Sequence, residues 1–342
     1  MKTTKTAVIG AGSWGTALAI LLARKGLPVA LWGRDADNMA AMRAARENTK
    51  YLPGHRFPER LVATADAAEA AENAACVLMV VPSHGFRAVF RTLLPHLPHT
   101  PKIPVVSATK GIENESLRTM TGIMAEEAAA SGKSFDFAVL SGPSFAEETA
   151  AGQPTAVTVA CADGERAAEL QRLFSHERFR VYSSTDVRGL EISGAMKNVI
   201  AIAAGIAEGL GYGLNARAAL VTRGLAEITR LGLALGADAR TFAGLSGLGD
   251  LVLTCTGNLS RNRAVGLKLG AGKSLPDILA DMRMVAEGVK TTRSCRLLAQ
   301  KHGVDMPILE QTHAVLYESK SCRDAVAELL GRDLKDELLP AS

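Results

Sequence analysis

The feature of this sequence that most limits its possible folds is a glycine-rich turn close to the N-terminus. Residues 6–10 form an apolar segment typical of a buried strand, and Gly10, Gly12 and Gly15 follow in the spacing G-x-G-x-x-G. Residues 16–25 then repeat apolar side chains at helical spacing. This order of strand, glycine turn and helix predicts a site for the pyrophosphate of a dinucleotide, where the helix N-terminus directs its N–H groups at the phosphates.

Strand-like and helix-like segments continue to alternate after this turn. The further predicted strands are residues 29–32, 61–64, 76–81, 105–108, 137–140, 155–160 and 179–183. Such alternation predicts an α/β fold with a doubly wound, parallel sheet of the Rossmann type. Beyond the last strand the pattern is helical to the end. We therefore expect a dinucleotide-binding domain over residues 1–190 and an all-helical domain over residues 191–342.

The end of the second predicted strand bears on the choice of dinucleotide. Arg34 and Asp35 follow this strand directly. A carboxylate near this point usually binds the ribose 2′-hydroxyl of NAD, whereas an arginine accommodates the 2′-phosphate of NADP. Because Arg34 comes first, we expect NADPH to be used and NADH to be tolerated. An Arg–Asp pair at an ordinary surface turn would give the same pattern.

Residues 193–205 predict a helix that carries one charge, Lys197, in an otherwise small and apolar run. The face that includes Lys197 is built from small residues such as Gly194 and Gly205, which let another backbone or a ligand approach closely. An ammonium group there costs free energy unless a partner or an anionic ligand compensates it. A lone helical lysine more often extends to water, so this helix alone leaves both interpretations open.

Other polar residues stand where ligands bind in sheets of this type, beyond the carboxyl ends of the strands. Lys110 follows the strand at 105–108, and Gly142 and Ser144 follow the strand at 137–140. Each of them also fits an ordinary turn.

In the helical half, Asp250 and the run Ser260-Arg261-Asn262 stand at predicted helix starts. A guanidinium and backbone N–H groups at a helix start suit a phosphate. A simple N-cap is the alternative for both Asp250 and Ser260.

Composition excludes several classes of function. The net charge over 342 residues is +4, without a basic block, so nucleic acid is not an expected partner, whereas small anionic substrates are compatible. No leader and no apolar run of membrane-spanning length is evident, and we expect a cytoplasmic protein without a transmembrane segment. The cysteines have no metal-binding spacing and are expected to be free thiols: Cys76, Cys161, Cys255, Cys295 and Cys322.

Read together, these motifs resemble those of the bacterial glycerol-3-phosphate dehydrogenases that use NAD(P)+. The resemblance covers the chain from Gly10 to about Gly331. Its segments are GAGSWGTALA (10–19), VVPSH (80–84), ATKGIE (108–113), SGPSFAEE (141–148), GAMKNVIAIAAG (194–205), NARAALVTRGLAE (215–227), GLGDLVLTCT (247–256), SRNR (260–263) and VAEG (285–288). GLGDLVLTCT followed by SRNR is a specific signature, as is the helix that carries Lys197, unlike the glycine turn alone. One departure is Ala286, inserted into what is often a Val-Glu-Gly run.

The resemblance implies the reversible reduction of dihydroxyacetone phosphate by NAD(P)H to sn-glycerol 3-phosphate, which supplies phospholipid synthesis in cells. It also implies a C-terminal domain like that of 6-phosphogluconate dehydrogenase, and we expect a homodimer. Lys197 matches the family's proton donor and acceptor. The substrate-binding positions are matched by Lys110, Gly142, Ser144, Lys197, Asp250, Ser260, Arg261 and Asn262. The cofactor positions are matched by Ser13, Trp14, Arg34, Lys110, Ala146, Arg261, Val285 and Glu287, beside Gly10, Gly12 and Gly15.

The chemistry of the matched residues agrees with this reaction. A protonated Lys197 beside the C2 oxygen would stabilise its developing negative charge and donate the proton, and a nearby Asp250 would orient it. One alternative is a related hydroxyacid dehydrogenase that acts on a carboxylate substrate. Another is a dinucleotide sensor without turnover, but a sensor would need no proton donor.

Overall fold

The structure is a computed structural model that describes residues 5–98, 103–282, 286–334 and 336–337. The strands are β1 (Lys5–Ile9), β2 (Val29–Trp32), β3 (Glu47–Asn48), β4 (Leu52–Arg56), β5 (Leu61–Thr64), β6 (Ala74–Met79), β7 (Pro104–Ser107), β8 (Asp136–Ser141), β9 (Thr155–Cys161) and β10 (Phe179–Ser184). Each strand predicted from the sequence is found within a residue or two of its predicted bounds. The short hairpin of β3 and β4 was not predicted.

Helices surround the sheet and then form the second half of the chain. Those of the first half are α1 (Ser13–Arg24), α2 (Ala36–Ala45), α3 (Ala67–Ala71), α4 (Phe86–Leu93), α5 (Met120–Ala130), α6 (Ala146–Ala150) and α7 (Gly164–Phe174). Those of the second half are α8 (Val187–Gly209), α9 (Leu214–Ala234), α10 (Ala239–Phe242), α11 (Asp250–Thr256), α12 (Arg261–Gly270), α13 (Leu275–Ala280), α14 (Glu287–Lys301), α15 (Pro307–Tyr317) and α16 (Cys322–Leu330).

The large sheet has the strand order β10-β9-β8-β7-β6-β1-β2-β5. At its centre, Ala7 of β1 lies between Ala30 of β2 and Val77 of β6. Side chains on its two faces belong to two separate buried clusters, with α1 on one face and α4 and α5 on the other. Helices cover both faces, and the predicted doubly wound Rossmann fold followed by a helical region is therefore confirmed.

The prediction of a wholly parallel sheet is wrong at one edge. β9 pairs antiparallel with β8, and β10 runs parallel to β9, so the last two strands are reversed relative to the others. A parallel neighbour needs a long crossover connection. The chain between β8 and β9 carries only the five-residue α6, which packs against α1, so the chain returns directly beside β8. β9 and β10 are joined through α7 and stay parallel.

Helix α8 is longer than predicted and is the central helix of the second half. Its residues from Gly189 to Ala207 are all buried, which includes both of the faces inferred from the sequence. By length and apolar composition α8 could cross a membrane, contrary to the expectation that no run is long enough. Its whole apolar stretch is buried inside the protein, as in the core helix of a globular domain.

Glycines bring α8 and α12 into direct backbone contact. A Cβ on Gly205 would lie 2.1 Å from the carbonyl oxygen of Arg263, and a Cβ on Gly266 would lie 2.0 Å from that of Ile202. No side chain fits between the helices at these points. The close approach expected at the small face of α8 is thus made by another helix.

A loop from the first half of the chain packs into the helical half. Ile112, which follows β7, belongs to the buried cluster built around α8, and the partly buried Leu117 packs against that cluster. The hydroxyl of Ser294 in α14 donates to the Ile112 carbonyl at 3.1 Å. Thr121 stands at the start of α5, and both its N–H (2.8 Å) and its hydroxyl (2.5 Å) donate to the buried carboxylate of Glu191 in α8. The end of β7 is therefore attached to both halves.

We expect Gly266→Ala to lower the free energy of unfolding by at least about 1–3 kcal/mol, because the added methyl would push α12 away from α8. Urea unfolding of purified protein measures this change. The matched control is Gly122→Ala in α5, where the nearest atoms lie 3.5 Å from the new Cβ. Alanine there is expected to be neutral or slightly stabilising, by up to about 1 kcal/mol. Wild-type stability of Gly266→Ala would contradict the close packing.

Candidate active site

One carboxylate lies between two ammonium groups where the sheet meets the helical half. Asp250 is 1% exposed, and its Oδ1 accepts a hydrogen bond from Lys197 Nζ at 2.6 Å. Its Oδ2 accepts one from Lys110 Nζ, also at 2.6 Å. Lys110 lies in the loop after β7, Lys197 in the middle of α8 and Asp250 at the start of α11. Two cations and one anion leave a local excess of one positive charge, which suits an anionic ligand.

Lys197 is held in one orientation by its neighbours. Its Nζ also donates to the hydroxyl of Thr254 at 2.8 Å, and that hydroxyl donates to the Asp250 carbonyl at 2.6 Å. Burial lowers the pKa of Lys197 to about 8, with Asp250 acting to raise it and Lys110 to lower it further. An ammonium has three N–H donors, so one donor of Lys197 has no partner within the described residues. The group can therefore hold a proton at neutral pH and deliver it to a ligand.

Glycines make room for Lys110. Its Nζ donates to the Gly142 carbonyl at 3.1 Å. Gly142 has φ +147°, and a Cβ there would lie 2.8 Å from the Val157 Cα, so only glycine fits. A Cβ on Gly194 would lie 3.4 Å from the Cγ of Lys110. The hydroxyl of Ser144 also donates to the Gly142 carbonyl, at 3.0 Å. The turn after β8 and the small face of α8 thus form the walls around this lysine.

The proposal that Asp250 merely caps α11 does not describe its position. Gly249 is the N-cap, and it ends a π-helical turn at Leu245–Gly249. Asp250 is the first helical residue and directs its carboxylate at the two lysines.

The run Ser260-Arg261-Asn262 serves two purposes in the structure. Ser260 is the N-cap of α12, and its hydroxyl accepts a hydrogen bond from the Arg263 N–H at 3.2 Å. This is the simple capping role that the sequence left open as an alternative to phosphate binding. The Asn262 amide donates to Asn198 Oδ1 and accepts the Gly288 N–H, both at 2.9 Å, and so joins α8, α12 and α14.

Arg261 differs from its two neighbours in the run. Its side chain is exposed and makes no hydrogen bond or ion pair with any residue that the structure describes. Partial desolvation lowers the pKa of its guanidinium, and the nearby Glu287, at the start of α14, acts to raise it.

The glycine turn has the shape that a pyrophosphate requires. Gly10 has φ +123°, and a Cβ there would lie 2.2 Å from the Val80 carbonyl oxygen. A Cβ on Gly15 would lie 1.9 Å from the Gly10 carbonyl oxygen, whereas one on Gly12 would meet no protein atom within 4 Å. The open space lies at the second glycine, the position at which a dinucleotide approaches the backbone in turns of this type. α1 begins at Ser13 without a side-chain cap, so its first N–H groups remain available for a phosphate.

A residue that the sequence analysis missed holds this turn in place. The buried amide of Asn48, in β3, donates to the Ala11 carbonyl at 3.0 Å and to the Thr16 hydroxyl at 2.8 Å. No motif marks Asn48, because its partner lies more than thirty positions earlier in the chain.

Arg34 and Asp35 have separate surroundings. Asp35 is the N-cap of α2 and accepts the Asn38 N–H at 3.0 Å. Arg34 is exposed and has no hydrogen bond or ion pair within the described part of the chain. Of the two residues, only Arg34 has a side chain that is not engaged in local structure.

The start of α14 reaches back to the sheet. Glu287 accepts a hydrogen bond at 2.5 Å from the hydroxyl of Ser83, a residue just beyond β6. Burial raises the pKa of the Glu287 carboxyl. Trp14 and Ala146 are half-buried against the core beneath the glycine turn. Val285 lies outside the described residues.

Ser83, Asn198 and Thr254 were also missed as functional residues. Thr254 has a signal in the sequence, because it stands four positions after Asp250 and so shares its helix face. The five cysteines are free, as predicted. No group of three or more potential metal ligands occurs among the residues described.

Comparison with known proteins identifies the family. The family model described as the N-terminus of NAD-dependent glycerol-3-phosphate dehydrogenase matches residues 5–167, and the model of its C-terminus matches residues 186–327. A glycerol-3-phosphate dehydrogenase [NAD(P)+] of Desulfotalea psychrophila is 58% identical over 337 residues, which cover 98% of this chain and 99% of that protein. One of Geobacter metallireducens is 56% identical over 335 residues, covering 97% and 98%.

A solved structure agrees with these matches. The crystal structure of glycerol-3-phosphate dehydrogenase from Coxiella burnetii superposes with a TM-score of 0.92 at 43% identity, and it covers 96% of this chain and 99% of that one. The resemblance, the enzyme class and the NAD(P) cofactor inferred from the sequence are confirmed. The chain belongs to the family of NAD(P)+-dependent glycerol-3-phosphate dehydrogenases, the oxidoreductases that interconvert dihydroxyacetone phosphate and glycerol 3-phosphate.

Proposed function

We propose that Lys197 is the proton donor when this enzyme reduces dihydroxyacetone phosphate and the proton acceptor in the reverse direction. The observation that carries the proposal is the position of Asp250, whose two carboxylate oxygens bind Lys197 and Lys110. Each ammonium still has an N–H donor that no described residue takes. The two free donors can converge on one substrate oxygen.

The charges around Lys197 fit this role. When bound, NAD(P)H supplies the hydride that reduces the C2 carbonyl. The two ammonium groups stabilise the negative charge that develops on the oxygen, and Lys197 then transfers its proton to it. A pKa of about 8 makes that transfer easier than from an ordinary lysine. Asp250 and Thr254 keep the amine in place while its charge changes.

We propose that the substrate phosphate is bound at the opening of this cluster, with Arg261 as its main ligand. An unpaired guanidinium can bind two phosphate oxygens through parallel N–H donors. Lys110, Gly142 and Ser144 line the other side of the cluster. Ser260 and Asn262 contribute by holding the start of α12 against α8 and α14.

We further propose where the dinucleotide binds. Its pyrophosphate would lie on the turn of Gly10, Gly12 and Gly15, at the first N–H groups of α1, and its 2′-phosphate would bind Arg34. This gives NADPH the preference over NADH. The remaining cofactor positions that we propose from the family resemblance are Ser13, Trp14, Lys110, Ala146, Arg261, Val285 and Glu287.

The proposed domain division is residues 1–190 for the cofactor and residues 191–342 for the substrate. It is supported by the end of β10 at Ser184 and the start of α8 at Val187. We also propose that the enzyme is cytoplasmic and supplies glycerol phosphate for phospholipid synthesis.

We propose that two copies associate through the exposed start of α9. Apolar side chains are exposed here, with Leu214 at 74% and Tyr212 at 42%. Covering such surface is favourable in water. Sedimentation equilibrium at micromolar concentration tests this, and the mass of a single chain would contradict it.

Lys197→Met keeps the length of the side chain but removes the proton and the charge. We expect kcat for dihydroxyacetone phosphate to fall by about two to four orders of magnitude. In the wild type, reduction requires protonated Lys197, so kcat/KM should fall tenfold per pH unit above about 8. Steady-state kinetics followed by nicotinamide absorbance measure both. Lys273→Met, at an exposed lysine, is the control, and near-normal kcat in folded Lys197→Met would contradict the assignment.

Arg34→Ala removes the proposed ligand of the 2′-phosphate. A charge-assisted hydrogen bond contributes about 1.5–3 kcal/mol, so KM for NADPH should rise roughly ten- to a hundredfold, while KM for NADH should change less than about twofold. Arg43→Ala, at an exposed arginine of α2, should leave both values unchanged. Equal increases for the two cofactors would show that the 2′-phosphate is bound elsewhere.

Arg261→Ala tests recognition of the substrate phosphate. At saturating NADPH we expect kcat/KM for dihydroxyacetone phosphate to fall roughly ten- to a hundredfold, and that for unphosphorylated dihydroxyacetone to change little. Arg261→Lys should restore only part of the loss, because a point charge cannot bind in a bidentate manner. An equal loss for both substrates would assign Arg261 to the cofactor or the fold, and Lys110 would become the candidate for the phosphate.

A further inference from the structure

We propose that a cavity of about 230 Å³ beside α14 is a second anion-binding site, separate from the substrate and cofactor sites. We refer to it as the α14 cavity. It lies between α14, the loop after β7 and the 3-10 turn after β6, and it is lined by residues that include His84, Asn114, Glu115, Lys290 and Arg293. None of these five is among the substrate or cofactor residues proposed above, but the cavity adjoins two of those residues: Ser83, which also lines it, binds Glu287, and Arg34 lies close enough to His84 to affect its pKa.

Two unpaired cations line one side of the α14 cavity. Lys290 and Arg293 stand on successive turns of α14, and both are exposed. Neither makes a hydrogen bond or an ion pair with a residue in the described ranges. Burial raises the pKa of Glu287, and Lys290 is close enough for its positive charge to lower that pKa in part. Most long charged side chains near a protein surface find such partners or extend freely to water. Here both border a concave space.

The other titratable groups leave the α14 cavity with a positive balance. Glu113 is bound by the Arg87 guanidinium at 2.6 Å, which neutralises it. Burial, Lys290 and Arg34 all lower the pKa of His84, which favours the neutral form of its imidazole. Glu115 remains as an exposed carboxylate, against the two cations. A ligand with one or more negative charges is therefore favoured.

Asn114 favours a ligand that can donate a hydrogen bond to its side chain. Its Oδ1 is buried and accepts no hydrogen bond in the structure. A buried acceptor without a donor is unfavourable, and a ligand that supplies a donor removes this deficiency. Together, the cations and Asn114 point to a small phosphate or carboxylate that carries a hydroxyl group.

The position of the α14 cavity separates it from the reaction while keeping it in contact with the same elements. Its loop continues directly from Lys110, and Ser83 on its wall is the partner of Glu287. An anion bound there would contact segments that support both sites.

The test uses enzyme saturated with NADP+ and dihydroxyacetone phosphate, a pair that cannot react because both are oxidised. Inorganic phosphate and citrate are titrated separately by calorimetry. We expect saturable binding of at least one of them, weakened at least tenfold in Lys290→Ala/Arg293→Ala. The matched control, Lys273→Ala/Lys301→Ala, removes two exposed lysines elsewhere in the helical half and should bind as the wild type does.

A second variant tests the α14 cavity without removing a cation. Asn114→Asp keeps the shape of the side chain but adds a negative charge, and it should weaken binding at least tenfold with KM for both substrates unchanged. The proposal is overturned if neither anion binds, if the variants bind as tightly as the wild type, or if binding disappears once NADP+ and dihydroxyacetone phosphate are present. The last result would assign the anion to the active site. All of these measurements are independent of whether Lys197 is the proton donor.

Discussion

The structure depends on the buried carboxylate of Asp250 and the two ammonium groups that it holds. Each lysine alone would be costly to bury, and the carboxylate would be costly without them. Their contact fixes the relative positions of β7, α8 and α11, which are far apart in the chain. Removal of Asp250 would leave two like charges side by side in a largely buried place. The charged groups that we propose to carry the reaction thus also form one of the contacts that join the two halves of the protein.

This arrangement is possible because α8 is built almost entirely from small and apolar residues. Its glycines let α12 approach to backbone contact at Gly205 and let the stem of Lys110 pass at Gly194. Asn198, next to Lys197, then ties α8 to Asn262. The helix therefore serves as the core of the second half and as one wall of the site. A helix with larger residues could form the core of the second half, but it could not also form a wall of the site.

Local patterns in the sequence predicted much of this, and non-local contacts explain what was missed. The glycine turn and the strands were predictable because strand and helix periodicity depend on neighbouring residues. The antiparallel direction of β9 depends on the short connection from β8, which contains only the five-residue α6. The apolar periodicity of the sequence does not indicate strand direction. The partner of Lys197 was inferred from a family motif, whereas the partner of the glycine turn, Asn48, comes from a segment without a motif and could be recognised only in three dimensions. Ser83 lies in the motif VVPSH, but its contact with Glu287 joins residues 204 positions apart and so could not be read from that motif.

The loop after β7 has a consequence for how such proteins are assembled from parts. Lys110 lies in the first half of the sequence, but Ile112, just beyond it, is buried in the core of the second half, and Leu117 packs against that core. The boundary in the chain and the boundary in space are therefore different. A nucleotide-binding domain of this type is not an interchangeable module. Grafted onto an unrelated helical partner, it would keep its glycine turn but lose the surface that holds Lys110 in position.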